Sequence, residues 1–179
     1  IYPKEEGLNL KYCLAILNSK LLNRQYQKLN PETGRVFAQV KIDYVNELPI
    51  IKPEMAKQEE FAVLVNKLLI YSRNSLEIEI KFVKYLQSQF QLETLSKKLN
   101  NWHELEFGDF IKELNKAIKK AGGKKPTKLS EMEWMEVFEI KKAETQTLKA
   151  EIDKTDKEID QMVYELYGLT EEEIGIVEN

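Results

Sequence analysis

Residues 53–90 read PEMAKQEEFAVLVNKLLIYSRNSLEIEIKFVKYLQSQF, and the fold class turns on whether this stretch is helix throughout. Its first half places Phe61, Leu64, Val65, Leu68 and Leu69 at i, i+3, i+4, i+7 and i+8, one face of an amphipathic helix, and Pro53 suits a helix N-terminus. The second half is ambiguous. Leu76-Glu77-Ile78-Glu79-Ile80-Lys81-Phe82 alternates like a strand, yet Leu76, Ile80, Val83 and Phe90 also fit a helix continuing through Tyr85-Leu86. No second strand pattern lies nearby and one strand makes no sheet, so helix is expected and the chain becomes mainly α.

Working towards the N-terminus, Leu48-Pro49-Ile50-Ile51-Lys52-Pro53 is expected to be extended, because a residue before proline is pushed out of the α region. It marks a boundary between a segment 1–52 and a module 53–179. Asn9 is an expected N-cap for a helix whose Leu10, Leu14, Leu17 and Leu21 share one face and which ends near Leu29. Asn30-Pro31-Glu32-Thr33-Gly34 is a turn, and residues 35–42 alternate with β-branched and aromatic side chains, which predicts one short strand. Segment 1–52 thus reads as the end of a small α/β domain.

Towards the C-terminus, helices are expected over 92–99 and 107–120, the latter closed by Ala121-Gly122-Gly123. Ser130 can cap a further helix. In it Trp134, Phe138, Thr145, Leu148, Ile152, Thr155, Ile159, Met162 and Leu166 recur mostly at three- and four-residue steps, a long coiled-coil-like seam. Two threonines weaken that seam as an autonomous zipper, so packing on another helix of the same chain or its parent is expected. Gly168 stops the helix, and Thr170 with Glu173 makes a capping box for a last short helix through Val177.

Composition excludes several classes. With 179 residues, 42% apolar, 32% charged and few Gly and Pro, the chain suits one or two helix-rich cores rather than disorder. Cys13, the single cysteine, cannot close an intrachain disulfide and reads as a buried thiol in a reducing, cytoplasmic setting. No stretch approaches the roughly 20 apolar residues of a bilayer span, and the opening IYPKEEGLNL lacks the layout of a signal peptide. Because it starts with Ile in a polar, proline-bearing stretch, the chain is expected to be a piece of a longer protein. Net charge of −3 argues against a surface that is basic everywhere, so nucleic-acid contact must be local.

Three stretches carry a family resemblance. LAILNSKLLNRQYQKLNPETGRVFAQVKIDYVNELPI (14–50) resembles the closing segment of a target-recognition domain in type I specificity subunits and single-chain type IIG enzymes. KYLQSQFQLETLSKKLNNWHELEFGDFIKELNKAIKKAG (84–122) is similar to the helical spacer of large adenine-specific DNA methyltransferases. AEIDKTDKEIDQMVYELYGLTEEEIGIVEN (150–179) looks like their shared C-terminus and is the most specific of the three. The resemblance implies a prokaryotic restriction-modification parent that methylates adenine N6 from S-adenosylmethionine, often fused to an endonuclease. It also implies double-stranded DNA and the parent's methylase domain as partners. The chain itself contains no N-P-P-Y-type adenine pocket, no glycine-rich cofactor turn and no P-D-x-E-x-K nuclease pattern, so no catalytic site, cofactor or metal is expected in it.

Two patches hold the residue types that grip phosphates and read bases. Lys20, Asn23, Arg24, Gln25, Lys28, Arg35, Gln39 and Lys41 surround the first turn, with Arg35 and Gln39 on one side of the expected strand; the alternative is an ordinary polar face. Lys112, Lys116, Lys119, Lys120, Lys124, Lys125 and Lys128 gather around Gly122-Gly123, where they suit phosphate or merely favour the helix C-terminal dipole. His103 reads as a structural histidine, Trp102 and Trp134 as core anchors, and Glu158-Ile159-Asp160 and Glu171-Glu172-Glu173 as solvated faces or caps. The rival reading is a protein-interaction module without DNA contact, including a homodimer through the long helix.

Overall fold

A computed structural model describes residues 7–30 and 40–179. It is mainly α: α1 (Leu10–Asn18), α2 (Lys20–Leu29), α3 (Ile42–Asn46), α4 (Met55–Phe90), α5 (Lys97–Asn100), a 3-10 turn (Trp102–Glu104), α6 (Phe107–Lys120), α7 (Lys128–Tyr167) and α8 (Glu171–Glu178), with no strand among the described residues. The stretch that decides the fold is one helix of 36 residues, so the alternation at 76–82 is helical after all. In its second half the buried apolar members are Phe82 and Leu86, with Ile78, Val83 and Phe90 packed beside them, whereas Leu76 and Ile80 stay exposed.

Packing divides the chain into two compact units, residues 1–69 with 153–179, and residues 70–152. The sequence boundary at 52/53 separates segments; packing groups them differently. In the first unit, Tyr12, Ala15 and Ile16 of α1 and Leu21 and Leu22 of α2 bury against Phe61, Leu64 and Val65 of α4 and Ile159, Val163 and Tyr164 of α7. In the second, Phe82, Trp102, Phe110 and Phe138 form an aromatic centre closed by Leu86, Leu99, Leu114 and Ile118. Phe82 stacks on Trp102 with ring centroids 3.9 Å apart, and Phe110 on Phe138 at 4.7 Å.

Several sequence expectations need correction. The helix expected from Asn9 to Leu29 is two helices, broken at Ser19, whose hydroxyl donates to Ile16 O (2.7 Å) and accepts from Leu22 N–H (3.3 Å). The break is held from outside the segment, because the Asp160 carboxylate accepts the Lys20 N–H at 2.9 Å. Although Asn9 caps α1 as expected, the buried face runs through Tyr12, Ala15 and Ile16, and Leu10 and Leu14 are 50% and 44% exposed. Cys13 is only half-buried, at the edge of this core.

The strand expected over 35–42 lies mostly outside the described residues, and at its end Ile42 opens α3 instead. α4 begins at Met55, with Gln58 N–H donating to Glu54 O, so Pro53 precedes the helix rather than opening it. Of the helix expected over 92–99, only Lys97–Asn100 forms. Gln91 adopts a left-handed φ of 52°, Leu92 N–H returns to Gln87 O (2.9 Å), and that turn ends α4 before Ser96 caps α5. Thr127, not Ser130, caps α7, its hydroxyl accepting the Ser130 N–H at 3.2 Å. The α6 bounds, the Gly168 stop at φ 66° and the Thr170/Glu173 capping box are as expected.

Candidate nucleic-acid interface

Around α2 the first patch is only partly available. Lys20 is tied down: its ammonium bonds Glu178 and lies 4.0 Å from Asp160. That hydrogen bond to Glu178, ahead of the other contributions, raises the Lys20 pKa. Asn23 is exposed and donates to Asn18 O (2.9 Å). Arg24 and Gln25 are half-buried, the Arg24 Nε finding no hydrogen-bond partner among the described residues, and Lys28 projects from the last turn of α2. Lys41 donates its N–H to the Tyr26 hydroxyl (2.9 Å) and sets its ammonium 5.6 Å above the Tyr44 ring. Arg35 and Gln39 lie outside the described residues. Asn23, Arg24, Gln25 and Lys28 therefore sit on α2, which Lys41 meets through Tyr26, while Lys20 is tied to Glu178.

The second patch is built by α6. Phe110, Leu114 and Ile118 bury one face of that helix and force its lysines outward. Lys112 bonds Asp109 (2.9 Å) and Lys116 bonds Glu113 (2.7 Å), so both are neutralised in place. Lys119, Lys120, Lys124, Lys125 and Lys128 are exposed and make no ion pair with a described residue. Gly122 takes φ +75°, and Gly123 N–H closes on Ile118 O (2.9 Å), which turns the chain so that Lys124 and Lys125 follow directly on the α6 end. A cleft of about 540 Å³ flanks this helix, lined by residues 91–96 and by Glu113, Lys116 and Lys120.

His103, read from sequence as structural, sits in a small network of ionisable groups. Its ring is buried, and Nε2 is engaged by the Lys149 ammonium, which requires the lone pair there and places the ring proton on Nδ1, 3.9 Å from Glu79. Glu79 in turn accepts from Ser75 Oγ (3.1 Å) and pairs with Lys149 (3.3 Å). Burial first, then the Lys149 charge, holds the His103 pKa below 6.5, with Glu79 and Glu104 opposing. The unfolded chain therefore takes up a proton that the folded one resists, and stability should fall as pH drops through about 6.5 towards the lower folded value. His103→Gln should flatten that slope in urea titrations between pH 5.5 and 7.5; an unchanged slope would refute this assignment. Asp156 and Asp160, both raised by burial, act with the opposite sign at lower pH, which the paired comparison removes.

Of the Glu158-Ile159-Asp160 cluster, read as a solvated face or caps, Asp160 is buried and accepts the first N–H of α2. Glu173 is the cap expected of its cluster. Lys97 and Lys98, on α5 packed against α6, escaped sequence reasoning because thirteen residues separate Lys98 from Lys112, the next lysine of the expected patch.

Residues 54–163 match the family model of a domain of unknown function (DUF8810), and residues 1–50 match that of the TaqI-like C-terminal specificity domain. No curated protein and no solved structure matches the chain. The second match supports a restriction-modification specificity region where the resemblance over 14–50 had pointed to one. No helix among the described residues is long and apolar enough to cross a membrane.

Proposed function

We propose that this chain, which belongs to the DUF8810 family and carries a TaqI-like specificity segment ahead of that domain, is the DNA-target recognition and scaffolding region of a restriction-modification N6-adenine DNA methyltransferase. The observation that carries the reading is that succession: a specificity segment at residues 1–50 followed at once by a helical domain. Base reading falls to side chains of α2 and of the residues after it, with Arg24, Asn23 and Lys28 on the helix and Arg35, Gln39 and Lys41 following in sequence. The helical domain is a scaffold. Each unit is built from helix, which makes a stiffer spacer between a recognition element and a methylase domain than loops do. Methyl transfer from S-adenosylmethionine, and any nuclease step, belongs to other parts of a cytoplasmic, type IIG-like parent.

Selection from a pool of randomised duplexes tests this. The chain should enrich one sequence motif, Arg24→Ala and Lys28→Ala should weaken that enrichment, and the chain alone should transfer no methyl group. Absence of any enriched motif, or methyl transfer by the chain itself, would refute the assignment. A second reading, a protein-interaction module, draws on Leu129, Met132 and Ile140 of α7, which are 69%, 71% and 51% exposed. A concentration-dependent dimer that ignores DNA would favour it.

A further inference from the structure

Charge in this chain is segregated. Residues 97–128 hold nine lysines against Glu104, Glu106, Asp109 and Glu113, a net of +5 in a chain of net −3, so the remaining residues carry −8. Three of the four acids are paired: Asp109 with Lys112, Glu113 with Lys116, and Glu106 with the buried Lys142 of α7 (2.8 Å), while Glu104 stays exposed. Seven lysines remain with no ion pair to a described residue: Lys97 and Lys98 on α5, Lys119 and Lys120 at the end of α6, Lys124 and Lys125 in the turn, and Lys128 opening α7.

Which polyanion such a surface fits is decided by what it lacks. No large apolar side chain between residues 86 and 128 is exposed: the nearest are Tyr85 and Leu129. An acidic protein partner would need an apolar or aromatic anchor at the centre of its interface; the exposed Leu129 and Met132 follow the last of the lysines in sequence and do not fall among them. Single-stranded nucleic acid would need exposed rings on which bases stack, and here Trp102, Phe107 and Phe110 are turned into the core or its margin. What remains is a phosphate backbone presented as regular charge. α6 extends over about 21 Å, a length along which duplex DNA carries roughly twelve phosphates, and lysine, a hydrated point charge on a flexible stem, suits positioning rather than base readout.

We infer that the α5–α6–turn surface is a sequence-independent clamp for the backbone of duplex DNA, a second contact separate from the specificity segment. The choice of DNA over other duplexes rests on the function proposed above; the surface itself does not. Four of the seven lysines, Lys119, Lys120, Lys124 and Lys125, are changed together to glutamine, which keeps exposed positions polar and should leave the helical circular dichroism unchanged. Binding of the whole chain to a duplex of scrambled sequence is then followed from 50 to 200 mM salt. Each neutralised phosphate contributes about 0.9 to the log–log slope, so the slope should flatten by about 3.6. If all seven lysines engage, the affinity of the unaltered chain falls roughly 6,000-fold over that range and that of the variant only about 40-fold.

The loss should be the same on every duplex, with the motif enriched from the random pool unchanged. An unchanged slope would overturn the clamp, as would tighter binding to single strands than to duplex. If the slope flattens but the pool yields no motif, the specificity reading fails while the clamp stands.

Discussion

Trp102→Ala should destabilise residues 70–152 by about 3–5 kcal/mol, the cost of removing a large, fully enclosed aromatic side chain and leaving a cavity. Trp102 is completely buried, stacks on Phe82 at 3.9 Å and meets Phe138 edge-on at 5.8 Å, so the rings around it cannot collapse into the space without losing their own partners. Trp134, the other tryptophan, packs in the same cluster and reports its unfolding by fluorescence in urea. Trp102→Phe should cost much less. It retains the stack and removes an indole N–H that has no hydrogen-bond partner among the described residues, a group whose burial is itself unfavourable. A midpoint for Trp102→Ala indistinguishable from that of the unaltered chain would show that the aromatic centre does not hold this unit together.

Gln58→Leu should cost about 2–4 kcal/mol in the other unit, since each buried polar group left unpaired costs about 1–3 kcal/mol. Gln58 is 1% exposed, its carbonyl accepts the Asn9 N–H at 2.8 Å, and its amide donates to Gly7 O (3.2 Å) and Pro53 O (2.9 Å). Leucine matches the volume and satisfies none of the three. Asn9 N–H would stay enclosed at the start of α1, so hydrogen exchange in residues 9–13 should accelerate before the rest of the chain responds. Exchange that rises equally everywhere would show that Gln58 supports the fold only globally.

Much of the architecture was legible because long amphipathic helices write a strong period. The α6 bounds, the Asn9 cap, the glycine stop at 168 and the Thr170 capping box are local signals, decided within four or five residues, and each is found where the pattern put it. Expectations failed where distant residues decide. The break at Ser19 joins a local cap, the Ser19 hydroxyl on Leu22 N–H, to a distant one, Asp160 on the N–H of Lys20 140 positions away, and no window around Ser19 contains that carboxylate. Once broken, α1 buries Tyr12 and Ile16 in place of Leu10 and Leu14. Gln91 reverses the chain with a left-handed φ that only a glycine or asparagine would have announced.

The candidate interface divides in the same way. Lysine identity and density are visible in one dimension, but which lysines are spent on Asp109, Glu113 and Glu178 depends on helical turns and tertiary neighbours. Lys20 looked like a phosphate ligand and is a clasp on α8; Lys98 looked unremarkable and sits on α5, packed against α6.

The core of the first unit carries an evolutionary corollary. Tyr12, Ile16 and Leu22 come from the stretch that matches the specificity domain, Phe61, Leu64 and Val65 from the stretch that matches DUF8810, and one set of side chains interlocks with the other. A crossover between genes at codons 51–53 would import half of an interior that must fit the half already in place. Exchange of recognition properties between homologous systems should therefore travel with the matching α4 start and α7 end, or be confined to the residues of the α2–α3 connection.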